Sequence, residues 1–96
     1  MNQSGAAAGD SAITVRLFAS LREALGSSQF QFDLSAIDET PTVAIVRRIL
    51  IATHDENWRA LESADVRIAV NQSVVDDSAR VQSGDELAFF PPVTGG

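Results

Sequence analysis

The chain ends in Phe89-Phe90-Pro91-Pro92-Val93-Thr94-Gly95-Gly96, and the chemistry worth reading first lies in that string. Glycine has no Cβ, so Gly95 and Gly96 can thread a channel too narrow for any other residue and lie against a bound phosphate or a catalytic group. Pro91 and Pro92 cannot donate to a ladder and hold the backbone extended, which makes a stiff spacer behind a bendable tip. From Pro91 onward the tail reaches at most about 20 Å. The only reactive group it delivers is the α-carboxylate of Gly96. That carboxylate is inert until it becomes an acyl derivative such as an adenylate, so chemistry at this tip requires a partner enzyme.

Other reactive constellations are weak. There is no cysteine, hence no disulfide framework, no thiolate metal site and no cysteine nucleophile. His54, the single histidine, is expected near a helix terminus, where a cation suits the dipole, and no metal site is expected. Asp76-Asp77 and Asp85-Glu86 have the form of paired carboxylates, but at turns they read as solvated groups. Asp85 and Glu86, which flank the tail strand, are placed to engage Arg or Lys of a partner. A net charge of −6 argues against nucleic acid, whose binding draws on clustered cations, and favours a basic protein surface. All seven basic residues are arginine. Arginine-biased composition explains this; the sharper reading is that a chain with an activated carbonyl avoids acylating its own kind by carrying no lysine.

These groups need a scaffold. The chain has 96 residues, 45% of them hydrophobic, which fits one domain with a modest core. Residues 1–12 are small and polar and are expected to form a disordered arm. They lack the basic and apolar runs of a signal peptide, and no segment approaches the roughly 20 apolar residues of a membrane span, so a cytoplasmic protein is expected. From Ile13, apolar Ile13, Val15 and Leu17 alternate with Thr14, Arg16 and Phe18, the period of a half-buried strand. Ser20 and Glu23 have capping-box spacing and Gly26 suits a helix C-terminus, which predicts a short helix between them. Phe30, Phe32 and Leu34 alternate in a second strand. Thr40 and Pro41 read as an N-cap and first helical residue, opening a main helix over about 41–55 with Arg47 and Arg48 mostly toward solvent. A linker containing Trp58 and Leu61 leads to alternating Val66, Ile68 and Val70, then a short extended piece at 73–75. Ser83-Gly84-Asp85 is a turn, and the last strand is ended by the prolines. Strands with one dominant helix on one face give an α+β domain over 13–90, with a flexible tail over 91–96.

The strings RLFASLREALG, AVNQ and GDELAFFPPVTGG, in that order within residues 13–96, resemble the small-subunit (MoaD) family of molybdopterin synthase sulfur carriers. The resemblance implies a β-grasp, ubiquitin-like fold with a mixed sheet. It implies that Gly96, preceded by Gly95, is adenylated by a ubiquitin-activator-like adenylyltransferase using ATP and Mg²⁺. It implies no permanently bound cofactor. A sulfur donor protein then converts the adenylate to a thiocarboxylate, and the tail, Pro91 to Thr94 included, enters the large subunit of a heterotetrameric synthase. There sulfur passes to a cyclic pyranopterin precursor, an ionised sulfur attacking carbon far better than a carboxylate does. Val74 and Arg22 match positions the family uses toward its partner.

The residues themselves add an interface. Phe18 faces away from Val15 and Leu17, and Phe90 faces away from Leu87 and Phe89. If their strands are neighbours, the two phenylalanines sit together opposite the helix, as a docking patch does; the bland alternative is a face covered by a loop. Competing functions are a carrier of the same fold serving another pathway such as thiazole synthesis, a ubiquitin-like modifier joined to lysines through Gly96, and a structural interaction domain indifferent to loss of its glycines.

Overall fold

The structure is a computed structural model that describes residues 11–92. Most of the predicted disordered arm, and the tail from Val93 to Gly96, lie outside the described residues. Among the described residues five strands form one mixed sheet in the order β2-β1-β5-β3-β4. They are β1 (Ala12–Leu17), β2 (Gln29–Asp33), β3 (Arg67–Val70), β4 (Ser73–Val75) and β5 (Glu86–Phe90). β1 opens one residue before the apolar alternation does, at Ala12.

The central pair is parallel, β1 against β5, with Arg16 beside Ala88 and Leu17 beside Phe89. All other pairings are antiparallel. A parallel pair needs a long crossover, and here it contains everything between the first and last strands. Ile13, Val15, Leu17, Leu87 and Phe89 turn to one face and are at most 2% exposed.

The two α-helices cover that face. α1 (Ala19–Leu25) buries Leu21 and Leu25, one turn apart. Gly26 closes it at φ 75°, its amide donating to the Arg22 carbonyl. The capping box does not form, however: the N-cap is Phe18, whose side chain makes no capping hydrogen bond, because the helix begins as soon as β1 ends.

α2 (Val43–Thr53) buries Val43, Val46 and Leu50. Its cap is Thr42 rather than Thr40, so Pro41 precedes the helix instead of opening it. The orphan donors of its first turn are all met, Val43 N–H by the Ala79 carbonyl, Ala44 N–H by that of Asp77, and Ile45 N–H by Thr42 Oγ1 at 3.4 Å. The segment 76–79 therefore seals the helix start, and this brings Asp77 to Arg47. The two pair, leaving only 17% of the Arg47 side chain exposed. Arg48 is exposed as expected; Arg47 is not free.

The expected linker is a 3₁₀ helix, Glu56–Glu62, opened by Asp55, whose carboxylate accepts from Asn57 N–H at 3.0 Å. Trp58 and Leu61, three residues apart and so eclipsed in this tighter helix, are 5% and 0% exposed. They are core residues.

Candidate functional site

β1 and β5 deliver Phe18 and Phe90 to the face of the sheet opposite α2. In the parallel register Leu17 faces Phe89, so the next step along each strand sets Phe18 beside Phe90. Phe18 N–H still donates to the Phe89 carbonyl at 3.2 Å, which extends the ladder by one bond. The rings stack with centroids 4.6 Å apart and planes 5° from parallel. Stacking of this kind is worth about 0.5–1.5 kcal/mol beyond the area buried.

Registers across the sheet place further residues on the same face. Val74 pairs with Ala69, Ala69 with Ala88, and Ala88 with Arg16. Residues directly opposite in a ladder share a face. Two alanines, both buried, thus form a low saddle between the aromatic pair and Val74, which is 73% exposed. Arg67 lies opposite Phe90 and continues the row. The result is a shallow surface with an aromatic ridge at one end, an aliphatic knob at the other and arginines at its margins.

Arg16 is the residue that sequence reasoning missed. Its guanidinium lies 4.8 Å from the Phe18 ring centroid and donates through Nη1 to Glu86 Oε2 at 3.3 Å. A cation over a ring face is attracted by its quadrupole. The signal was present in the alternation, because Arg16 and Phe18 are two residues apart on one strand and must share a face.

The carboxylates read as available to a partner are engaged within the chain. Glu86 pairs with Arg16. Asp85 accepts from Asn71 Nδ2 at 3.0 Å and from Gln82 N–H at 2.9 Å. Asn71 in turn accepts from Glu86 N–H at 3.0 Å and donates its own N–H to the Glu86 carbonyl at 2.8 Å. With Asn71 at φ 51° and Gln72 at φ 71°, the tight β3–β4 turn is thereby stitched to the start of β5. That is the structural role of the AVNQ string.

Arg22 is exposed on α1, in the turn that follows Phe18. Pro91 is half-buried at the end of β5 and Pro92 is exposed beyond it. Val93, Thr94, Gly95 and Gly96 are outside the described residues. His54 caps α2 at its C-terminus, its Nδ1 2.9 Å from the Leu50 carbonyl, and its ring stacks on Trp58 with centroids 3.9 Å apart. Among the described residues no cluster of His, Asp and Glu has the geometry of a metal site, and no helix is long and apolar enough to cross a membrane.

With this geometry established, comparison with known proteins is direct. The ThiS family model matches residues 15–96. The molybdopterin synthase sulfur carrier subunit of Haemophilus influenzae is 38% identical over 84 residues, 88% of this chain and 99% of that protein. Among solved structures, SAMP1 from Haloferax volcanii superposes with a TM-score of 0.71 at 27% identity, over 88% of this chain and 99% of its own. The complex of subunits 1 and 2 of the molybdopterin-converting factor from Helicobacter pylori contains a chain of the same fold, with a TM-score of 0.59 at 22% identity over 88% of this chain and 99% of its own. A ubiquitin-like β-grasp sheet, a match that runs through the diglycine tail and a full-length relative together show that the chain belongs to the ThiS family.

Proposed function

We propose that this protein is the sulfur carrier subunit of a molybdopterin synthase, acting in molybdenum cofactor biosynthesis in the cytoplasm. The observation that carries the reading is the full-length similarity to a curated carrier subunit. The siting of Pro91 and Pro92 supports it, since they follow the central strand β5 directly beside the Phe18–Phe90 ridge.

In this reading an adenylyltransferase holding ATP and Mg²⁺ lets the Gly96 carboxylate attack the α-phosphorus, with pyrophosphate leaving. Hydrosulfide supplied by a donor protein attacks the acyl carbon, the bond to AMP breaks, and a thiocarboxylate remains. The large subunit binds the Phe18–Phe90–Val74 face and receives the tail. The thiocarboxylate sulfur attacks a carbon of the cyclic pyranopterin precursor and that carbon's C–O bond breaks, the oxygen leaving with a proton; water then hydrolyses the acyl–sulfur link and returns the Gly96 carboxylate, and two such rounds supply one dithiolene. This chain contributes docking, reach and the sulfur; acid, base and cationic groups come mainly from the large subunit.

Intact-protein mass spectrometry from the native cell tests this. The expected result is a population in which one terminal oxygen is replaced by sulfur, lost when Gly95 and Gly96 are deleted. SAMP1 is named as a small archaeal modifier protein, and its likeness keeps the modifier reading in view. Covalent adducts to target lysines in place of the thiocarboxylate would establish that reading instead.

A further inference from the structure

The sheet has two edges, and they are protected very differently. β4 is three residues long and runs into Asp76-Asp77, and a short, charged edge discourages strand addition. β2 is five residues long, Gln29-Phe30-Gln31-Phe32-Asp33, with no proline, no lysine and a single charge. Its register shows which groups are free. Leu17 N–H donates to the Ser28 carbonyl and Leu34 N–H to that of Ser11. In an antiparallel ladder hydrogen-bonded pairs alternate, so with Ile13 opposite Phe32 and Val15 opposite Phe30 the backbone groups of Phe30 and Phe32 face β1. Those of Gln29, Gln31 and Asp33 face outward, where among the described residues no strand of the sheet follows.

Next to this edge, on the helix side of the sheet, a groove of about 410 Å³ runs between β2 and α2. Phe30, Phe32, Ile37 and Ile49 supply apolar walls, and His54 lies at one end. An added strand would place every second side chain over this groove while its backbone met Gln29, Gln31 and Asp33. Charge identifies the occupant further. The lining contains Asp33 and neither Lys nor Arg, and exposed Asp38, Glu39, Asp55 and Glu56 follow β2 and α2 in the chain. A second copy of this chain would bring another charge of −6 against the first, which disfavours β2-to-β2 pairing.

We infer that β2 and the groove beside it form a strand-addition site for an extended segment of a protein partner, apolar at alternate residues and flanked by basic ones. The site lies on the opposite face from Phe18 and Phe90, so it remains open while that patch is occupied. It does not depend on the carrier function proposed above.

The test uses the full chain and an acetylated, amidated peptide, KRVTISVTKR, followed by amide chemical shifts. Expected are saturable shifts at Gln29, Gln31 and Asp33, and binding about tenfold weaker for the charge-reversed peptide EDVTISVTDE, since several rim charges together reach that size. Gln31→Pro removes one outward N–H without touching the β1 ladder and should abolish binding, whereas Gln31→Ala should bind like the parent. Ile49→Arg, which fills the groove with a like charge, gives the same loss should Gln31→Pro fail to fold. No shift at β2 with millimolar peptide, shifts confined to the Phe18–Phe90 face, or undiminished binding by a folded Gln31→Pro or Ile49→Arg variant would overturn the site.

Discussion

Phe18 and Phe90 lie face to face, 4.6 Å between centroids and 5° from parallel, although they come from near opposite ends of the chain. The parallel β1–β5 register alone brings them together, and both rings remain only half-buried. Large aromatic surface held in one rotamer is what a central anchor of an interface requires.

Replacing either ring by alanine is therefore expected to weaken binding of the large subunit by about 2 kcal/mol or more, roughly 30-fold in Kd, while costing the isolated chain only about 1 kcal/mol. Calorimetric titration with the large subunit, set beside urea unfolding of the free chain, separates the two effects. A loss in affinity no greater than the loss in stability would remove these residues from the interface.

Ala19, directly after Phe18, sits at φ 51°, a region costing an L-residue roughly 1–2 kcal/mol. Ala19→Gly is expected to be neutral or to stabilise by up to about 1 kcal/mol. Ala24→Gly, exposed inside the same helix, should destabilise by about 1 kcal/mol. Urea midpoints showing the same loss for both would contradict the left-handed turn.

The cap of α2 gives a paired prediction. Thr42→Ala should cost about 0.5–1 kcal/mol, the lower part of the range for caps because the Oγ1 contact is long. Thr40→Ala, at an exposed position outside the helix, should change little. Thermal unfolding of both variants distinguishes them.

Two aspartates should titrate low. Asp33 accepts from Ser35 N–H at 2.9 Å, and Asp76 accepts from Ser78 Oγ at 2.6 Å and Ser78 N–H at 2.9 Å. These bonds favour the charged form and hold both carboxyls below the usual aspartate range, for Asp33 chiefly the backbone bond and for Asp76 chiefly the hydroxyl. Because the folded pKa is lowered, their contribution to stability is complete above the unfolded aspartate value and disappears as pH falls through the folded one. Carboxyl-carbon NMR titration should show both midpoints below the ordinary aspartate value. Ser78→Ala should raise the Asp76 midpoint and leave that of Asp33 unchanged.

What the sequence made legible was local and periodic. Alternation places Ile13, Val15 and Leu17, then Phe30 and Phe32, then Leu87 and Phe89, and the opposing parity of Phe18 and Phe90 points to the patch. What it hid was set by segments arriving from elsewhere. Thr40 and Thr42 look alike as caps, and the choice falls to Thr42 because residues 77–79 cross that end of the helix and supply carbonyls. Arg47 is drawn to Asp77 by the same crossing. Glu86 and Asp85 looked available until the turn at Asn71 and the neighbouring Arg16 claimed them. Trp58 and Leu61 were legible in principle, since their spacing of three suits a 3₁₀ helix, but a pair of residues is too short a run to establish a period.

β5 has a neighbour on each flank, β1 on one side and β3 on the other. The final residues continue from it, so tension applied at the C-terminus runs along a strand that must slide past two ladders simultaneously instead of peeling from one. On the function proposed above, a partner that draws the C-terminus inward would load both ladders of β5 in shear, so that many hydrogen bonds share the force.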